Sequence, residues 1–132
     1  MVKIDYKSIK SEKYKYQLLT THMLSTKFRP VSRIVTDYIE IGTDGVMVVK
    51  KHYAWDGPSG VSFDTENFMR GSLVHDALYQ LIDEGHLSAD NRLRADNLLR
   101  QICREDGMSW FRAWYVYKAV RMFGGMYVKR KK

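Results

Sequence analysis

The sequence predicts an α+β fold, in which an N-terminal antiparallel β-hairpin or meander is followed by three helices. Two observations predict it. Residues 34–41 and 46–53 are rich in β-branched and aromatic side chains and flank an Asp-Gly turn. After residue 65, apolar residues recur at intervals of three and four. We expect a single domain over residues 1–132, mainly β over 1–54, a loop over 55–65, helical over 66–125 and a basic tail over 126–132.

The N-terminal half favours a small antiparallel sheet of about three strands. Residues 14–28 mix apolar and polar side chains without a helical period, and Arg29-Pro30 ends this run. The segment Gly42-Thr-Asp-Gly45 then predicts a hairpin, because glycine accepts the positive φ angle that such a turn needs. The polar, basic residues 1–13 are expected to cover the surface.

Capping residues and apolar stripes delimit the first two helices. The first is expected from about Glu66 to Glu84, with Asp64 or Thr65 as its N-cap and Gly85 as its stop. The second is expected over about residues 89–105, after Ser88. A chain that turns at Gly85 and runs back makes these two helices an antiparallel hairpin.

A third helix is expected over residues 110–123. Ser109 can cap its first turn, and Gly124-Gly125 is expected to end it. Its aromatic residues suggest an inward face, on which we expect Trp114, Tyr117 and Val120. Trp110 is likewise expected in the core.

Composition excludes several classes of protein. Apolar residues make up 45% of the chain, which indicates a folded protein. The single Cys103 excludes an intramolecular disulfide framework, and its apolar neighbours suggest packing rather than a nucleophile. No run reaches the ~18–20 apolar residues of a membrane span, and the N-terminus lacks the apolar core of a signal peptide.

The net charge of +7 suggests loose attraction to polyanions. We expect the positive charge at both ends, in the lysines of residues 3–15 and in residues 129–132. Such tails attract nucleic acid and anionic lipid alike. We expect no specific nucleic-acid binding, because charge alone identifies no partner.

The stretch from Arg70 to Tyr79 carries the candidate site. In a helix, His75 and Tyr79 are one turn apart on the same side, while Asp76 points about 100° away. Asp96 lies nearly as far beyond Gly85 as His75 lies before it, so the helical hairpin is expected to place Asp96 level with His75.

These residue types suit hydrolysis. A neutral histidine can take a proton from water when a carboxylate holds its other ring nitrogen, and Asp96 can fill that role. Tyr79 can donate a hydrogen bond to Asp96 and fix its orientation. Asp76 is then available to a hard cation, together with backbone carbonyls of the loop Trp55-Asp-Gly-Pro-Ser-Gly60. Such a cation would stabilise the oxyanion of ester hydrolysis.

Residues 55–97 resemble the phospholipase A2 superfamily, which has a Gly-rich calcium loop, then His-Asp-x-x-Tyr, then an Asp on an antiparallel helix. The resemblance implies that His75 is the catalytic base, that Asp96 orients it and that Tyr79 supports Asp96. It further implies a Ca²⁺ ion and phospholipid at a membrane surface as substrate. The implied metal ligands are the carboxylate of Asp76 and carbonyls in the loop, at Trp55, Gly57 and Ser59.

This sequence departs from the superfamily at several points. Ser59 stands where the loop usually has glycine, and the adjacent Pro58 stiffens the loop. The disulfides of the larger members are absent, and the sheet expected over residues 14–53 has no counterpart.

Most of the chain is similar to a different family, the small tailed-phage and prophage proteins known only as a domain of unknown function. Four stretches carry this likeness: YAWDGPSG, RGSLVHDALYQ, RADNLLR and RAWYVYKAVRMFGG. It implies a phage origin, a place in the host cytoplasm or the virion, and other virion proteins as partners. It implies no activity.

Two alternatives to the ester hydrolase remain open. In the first, the chain is a non-enzymatic virion or morphogenesis protein, and His75, Tyr79 and Asp96 form a polar network that holds two helices together. In the second, it is a transition-metal phosphohydrolase that uses His22 or His52 with His75, Asp76 and Asp96.

Overall fold

The structure is a computed structural model that describes residues 3–11, 13–57 and 65–130. It divides into two compact units: residues 4–56, here called the sheet unit, and residues 57–132 with residues 1–3, here called the helical unit. The described strands all lie in the sheet unit and the α-helices all lie in the helical unit. The predicted α+β class and the order of its halves are therefore confirmed. The single-domain expectation stays a prediction.

Two antiparallel sheets form the sheet unit. The first has three strands: β1 (Tyr6–Ser8), β2 (Tyr16–Leu18) and β7 (Ala54–Trp55), in the order β1-β2-β7. The second has four strands in the order β3-β6-β5-β4: β3 (His22–Ser25), β4 (Ile34–Val35), β5 (Ile39–Ile41) and β6 (Val46–Val49). The alternation of side chains along β5 and β6 turns Ile39, Ile41, Met47 and Val49 inward.

The predicted Asp-Gly hairpin joins β5 to β6. Ile41 pairs with Met47, and the amide of Gly45 donates to the carbonyl of Gly42 at 3.0 Å. Gly45 has φ +89°, the left-handed conformation that the turn requires. The hairpin is therefore confirmed, with glycine at the position that needs it.

The prediction of about three strands was wrong, because the described residues of the sheet unit form seven short strands. Side-chain hydrogen bonds divide a predicted strand into shorter ones. The run 34–41 is itself a hairpin: the amide of Ile39 donates to the Thr36 hydroxyl at 2.9 Å, and the amide of Thr36 donates to the Ile39 carbonyl at 2.8 Å. A threonine side chain that bonds nearby backbone favours a turn over a continuous strand. The basic segment 1–13 also contains β1.

The described part of the helical unit contains three α-helices: α1 (Glu66–Asp83), α2 (Arg92–Glu105) and α3 (Trp110–Arg130). The first begins and ends within one residue of its predicted bounds, and the second is preceded by a 3₁₀ turn over Ala89–Asn91. Gly85 ends the first helix with φ +86°, and the following amide of His86 donates to the carbonyl of Leu81 at 2.8 Å. This pair of features is a Schellman C-cap.

The third helix is longer than predicted, because Gly124-Gly125 does not end it. It continues to Arg130, so residues 126–130 of the predicted basic tail are helical, and residues 131 and 132 lie outside the described residues. A Cβ atom at Gly124 would lie 2.5 Å from the hydroxyl oxygen of Tyr79. Glycine at this position lets α3 approach α1 closely, a role that the sequence pattern does not distinguish from a helix stop.

The inward face of α3 also differs from the prediction. Ala113 and Val116 are buried against the core and Val120 packs beside them, as expected for Val120. Tyr117 is partly buried. Trp114 is 37% exposed and Trp110 is 58% exposed, so both were wrongly assigned to the core. Ala113, Val116 and Val120, at intervals of three and four residues, determine which face of α3 meets the core. Trp114 therefore points about 100° away from Ala113.

A buried ion pair ties α1 to the end of α2. Arg70 is 6% exposed, and its Nε and Nη2 atoms donate to the two carboxylate oxygens of Asp106 at 3.0 and 3.1 Å. The Nη2 atom also donates to Glu105 at 3.0 Å. The bidentate geometry keeps the guanidinium charge compensated away from water.

Gly71 should be intolerant of a side chain, because a Cβ atom there would lie 2.9 Å from the Cys103 sulfur and 3.0 Å from Leu99 Cδ1. Helix propensity alone would make Gly71→Ala stabilising by about 1 kcal/mol. We expect it instead to lower the free energy of unfolding by about 1–3 kcal/mol through overpacking. Urea unfolding measures this, and the loss should be smaller in a Cys103→Ala background. A stabilised Gly71→Ala protein would contradict the close α1–α2 contact.

Candidate functional site

A buried carboxylate, Asp96, is the centre of the candidate site. It lies on α2 with none of its surface exposed. Its Oδ1 atom is 2.7 Å from His75 Nε2 and 2.6 Å from the hydroxyl of Tyr79, both on α1. The helical hairpin thus brings Asp96 to His75, as the spacing around Gly85 predicts.

The spacing along α1 explains how one carboxylate oxygen reaches both partners. His75 and Tyr79 are four residues apart, so their side chains stack on one side of the helix. Their ring centroids are 4.2 Å apart, with an angle of 35° between the planes. Both rings are more than 90% buried and Asp96 is fully buried, so water does not replace these hydrogen bonds to the carboxylate.

Electrostatics favours the ionised form of Asp96. Burial raises the pKa of this carboxyl group, but the hydrogen bonds from His75, Tyr79 and Arg121 outweigh burial, so its pKa is lowered. Burial and the neighbouring Asp96 charge raise the pKa of Tyr79, which keeps its hydroxyl protonated as a donor. Because an ionised carboxylate only accepts hydrogen bonds, His75 Nε2 carries the hydrogen. In the neutral ring, the basic lone pair is then on Nδ1.

Two arginines also contact the site, and the sequence motifs assign a role to neither of them. Arg121, on α3, donates from Nη1 to Asp96 Oδ2 at 2.8 Å. Arg92 donates from Nε to the Tyr79 hydroxyl at 3.1 Å and from Nη2 to the backbone carbonyl of Arg121 at 2.7 Å. The position of Arg92 four residues before Asp96 was an available signal. Arg121 is 25 residues from Asp96 along the chain, and no local pattern indicates it.

Asp76 lies on the Nδ1 side of the His75 ring. Its Oδ1 atom is 4.0 Å from His75 Nδ1, which is too long for a hydrogen bond, and its side chain is 32% exposed. Asp96 therefore contacts one nitrogen of the His75 ring, and Asp76 lies nearer to the other. This agrees with the different directions expected for neighbouring residues on a helix.

The predicted loop ligands are only partly described. The Trp55 carbonyl accepts a hydrogen bond from the amide of Lys15 at 3.1 Å. The Trp55 side chain is buried, and its ring lies near those of Tyr6 and Tyr16 within the sheet unit. Gly57 is buried with φ +75°. Ser59 lies outside the described residues.

The histidines invoked for a phosphohydrolase belong to the sheet unit. His22 is on β3, and His52 is exposed in a turn with φ +81°. Across residues 3–11, 13–57 and 65–130, the structure has no group of three or more His, Cys, Asp or Glu side chains that could hold a metal ion.

Cys103 is a packing residue. It is fully buried in the cluster with Phe68, Leu99 and Met108. Burial and the nearby charge of Asp106 raise the pKa of its thiol to about 12. At neutral pH it is therefore a thiol and not a nucleophilic thiolate.

Replacing Asp96 should remove an acid-sensitive part of the stability. Because the pKa of this group is lowered in the folded state, its contribution is present above the ordinary value of 3.8 and is lost as the pH falls below it. We expect Asp96→Asn to lower the free energy of unfolding by about 1–3 kcal/mol at neutral pH. It should also flatten the acid limb of the curve of stability against pH.

Asp90→Asn is the matched control, since Asp90 is exposed in the 3₁₀ turn before α2. Chemical unfolding of the three proteins over a pH series measures both effects. An acid limb that is equally steep in wild type and Asp96→Asn would contradict the ionised, hydrogen-bonded carboxylate.

Comparisons with known proteins place the chain in a family but indicate no activity. Among the described residues, no helix has the length and apolar character of a membrane span. No curated protein and no solved structure matches the chain. A family model described as "Protein of unknown function (DUF1353)" matches residues 32–120, a range that includes His75, Asp76, Tyr79 and Asp96. With about two thirds of its length matched, the chain belongs to this DUF1353 family.

Proposed function

We propose that the protein is an ester hydrolase in which His75 is the general base and Asp96 orients it. One observation carries the proposal: the 2.7 Å contact between His75 Nε2 and an ionised, buried carboxylate. It fixes the tautomer of the ring and leaves the basic lone pair on Nδ1. A histidine held this way is a suitable base for activating water.

The proposed chemistry is a single attack by water. His75 Nδ1 accepts a proton from water while the water oxygen adds to the ester carbonyl carbon. The imidazolium that forms is stabilised by Asp96, and it returns the proton to the alcohol oxygen as the ester bond breaks. Tyr79 and Arg121 act through Asp96: each donates a hydrogen bond to it and restricts its position.

Calcium is part of the proposal because Asp76 fits it. This carboxylate is partly exposed on the Nδ1 side of His75, where the ester carbonyl would lie. The resemblance to the phospholipase A2 superfamily implies that the other ligands would be carbonyls at Trp55, Gly57 and Ser59. When bound, Ca²⁺ would polarise the ester carbonyl and stabilise its oxyanion.

We further propose a phospholipid as the substrate and a phage as the setting. The local likeness of residues 55–97 to the phospholipase A2 superfamily supports the first point. The likeness to small tailed-phage proteins supports the second. In that setting the protein would be in the host cytoplasm or the virion, and the activity would serve membrane disruption during entry or lysis.

A structural role is the second candidate, and a specific observation favours it. Asp96 joins three helices, since it accepts hydrogen bonds from His75 and Tyr79 on α1 and from Arg121 on α3. A non-enzymatic virion or morphogenesis protein would use this network only to fix the helices together. The two candidates differ in what happens when the histidine alone is changed.

Replacing His75 tests the hydrolase. We expect His75→Gln to lower the rate of fatty-acid release from phospholipid vesicles in Ca²⁺ by about 10²–10⁴-fold, because the general base is lost. His86→Gln is the control, since His86 is partly exposed just beyond α1. It should retain the wild-type rate. Activity that is equal in His75→Gln and wild type, or a wild type with no activity, would favour the structural role.

Calcium binding tests the role of Asp76 independently of turnover. Isothermal titration should show Ca²⁺ binding by the wild type and by Asp90→Asn, and its loss in Asp76→Asn, because a carboxylate ligand is removed. No binding at millimolar Ca²⁺ would contradict the metal site. Binding of Mn²⁺ or Zn²⁺ without Ca²⁺ would favour the phosphohydrolase instead.

A further inference from the structure

The third helix presents a second apolar face, opposite the one that it buries. Five large apolar or aromatic side chains on it are at least 37% exposed, and we call them the outer face: Trp110, Phe111, Trp114, Tyr115 and Met122. Trp110 and Phe111 are 58% and 67% exposed. At 100° per residue, the five lie within an arc of about 140°, centred opposite Ala113, Val116 and Val120. An exposed apolar patch of this kind typically marks an interaction surface.

The charge of the protein is concentrated in the same part of the chain. Residues 107–132 contain seven Lys and Arg and no Asp or Glu, whereas residues 1–106 contain fifteen of each sign. Residues 107–132 therefore carry a net charge of +7 and residues 1–106 a net charge of zero, although residues 1–15 are themselves basic, as expected, with five lysines and two acidic residues. A partner of the outer face is consequently expected to be anionic.

Cationic side chains lie among the aromatic rings of this surface. Lys118 is exposed within the arc, and its Nζ is 6.0 Å from the centroid of the Trp114 ring. The guanidinium of Arg100 lies 5.9 and 5.5 Å from the ring centroids of Trp110 and Tyr117. Tryptophan and tyrosine beside lysine and arginine suit the headgroup level of a bilayer. At this level the apolar rings can contact the acyl chains while the charged ends contact the headgroups and water.

We propose that the outer face of α3 docks on an anionic lipid surface, with the helix lying in the plane of the interface. A helix with aromatic residues on one face and an excess of Lys and Arg binds such surfaces by apolar burial plus attraction to the headgroups. A second copy of the chain fits less well, because a symmetric dimer would bring two positive faces together. The proposal does not require hydrolysis, since the outer face includes neither His75 nor Asp96.

Flotation with vesicles tests the proposal on the full chain. We expect the wild type to float with vesicles containing phosphatidylglycerol but not with pure phosphatidylcholine vesicles, and to be released by high salt. Trp110→Ser/Trp114→Ser should bind at least about tenfold more weakly, because apolar burial is lost. Lys118→Glu should weaken binding about fivefold or more through lost attraction. Because these side chains are exposed, circular dichroism should show an unchanged fold.

The controls change equally exposed residues in the sheet unit. Val35→Ser/Tyr38→Ser and Lys51→Glu should bind vesicles like the wild type. A wild type that does not float with anionic vesicles would overturn the proposal, as would an equal loss in the control variants. Self-association or nucleic-acid binding that Trp110→Ser/Trp114→Ser abolishes, without vesicle binding by the wild type, would assign the face to that partner instead.

Discussion

The helical unit depends on the need to compensate one buried negative charge. A carboxylate with no exposed surface is costly unless hydrogen bonds and positive charge surround it, and Asp96 obtains both from two other helices. His75 and Tyr79 supply hydrogen bonds from α1, and Arg121 supplies a charge from α3. The positions of the three helices are thus coupled through one side chain. The short contact between His75 and Asp96, on which the proposed hydrolase depends, follows from the same requirement.

Close helix approach is the second condition for this network. Gly71 faces Leu99 and Cys103 on α2, and Gly124 faces Tyr79 on α1. Larger residues at these positions would force the neighbouring side chains or the helices themselves to move. The hydrogen bonds of the polar network are therefore short because the helix backbones are close together. The apolar packing around Phe68 and Met108 keeps the helices in this position.

The sequence was most informative where a local signal determines the structure. The turn at Gly85 and the four-residue spacing of His75 and Tyr79 were sufficient to predict the helical hairpin and the meeting of His75 with Asp96. At the start of α1, Thr65 is the N-cap residue but makes no side-chain capping hydrogen bond.

Long-range packing decided the features that were missed. The short strands depend on side-chain bonds such as that of Thr36, and Gly124 depends on a neighbour 45 residues away. The outward direction of Trp114 follows from which small residues of α3 meet the core. The role of Arg121 requires knowing that α3 returns to α2. The loop around Ser59 and the activity itself stay predictions.

The contact between Arg121 and Asp96 has a consequence for communication across the helical unit. Arg121 lies on the helix that carries the outer face, three residues beyond Lys118, and Arg92 holds its backbone carbonyl. A ligand that displaced this helix would lengthen the Arg121–Asp96 contact and so weaken the compensation of the buried carboxylate. By thermodynamic linkage, a change at Asp96 that weakened the same contact would favour the displacement by an equal free energy. The outer face and the buried carboxylate would then be coupled, with Arg121 as their common element.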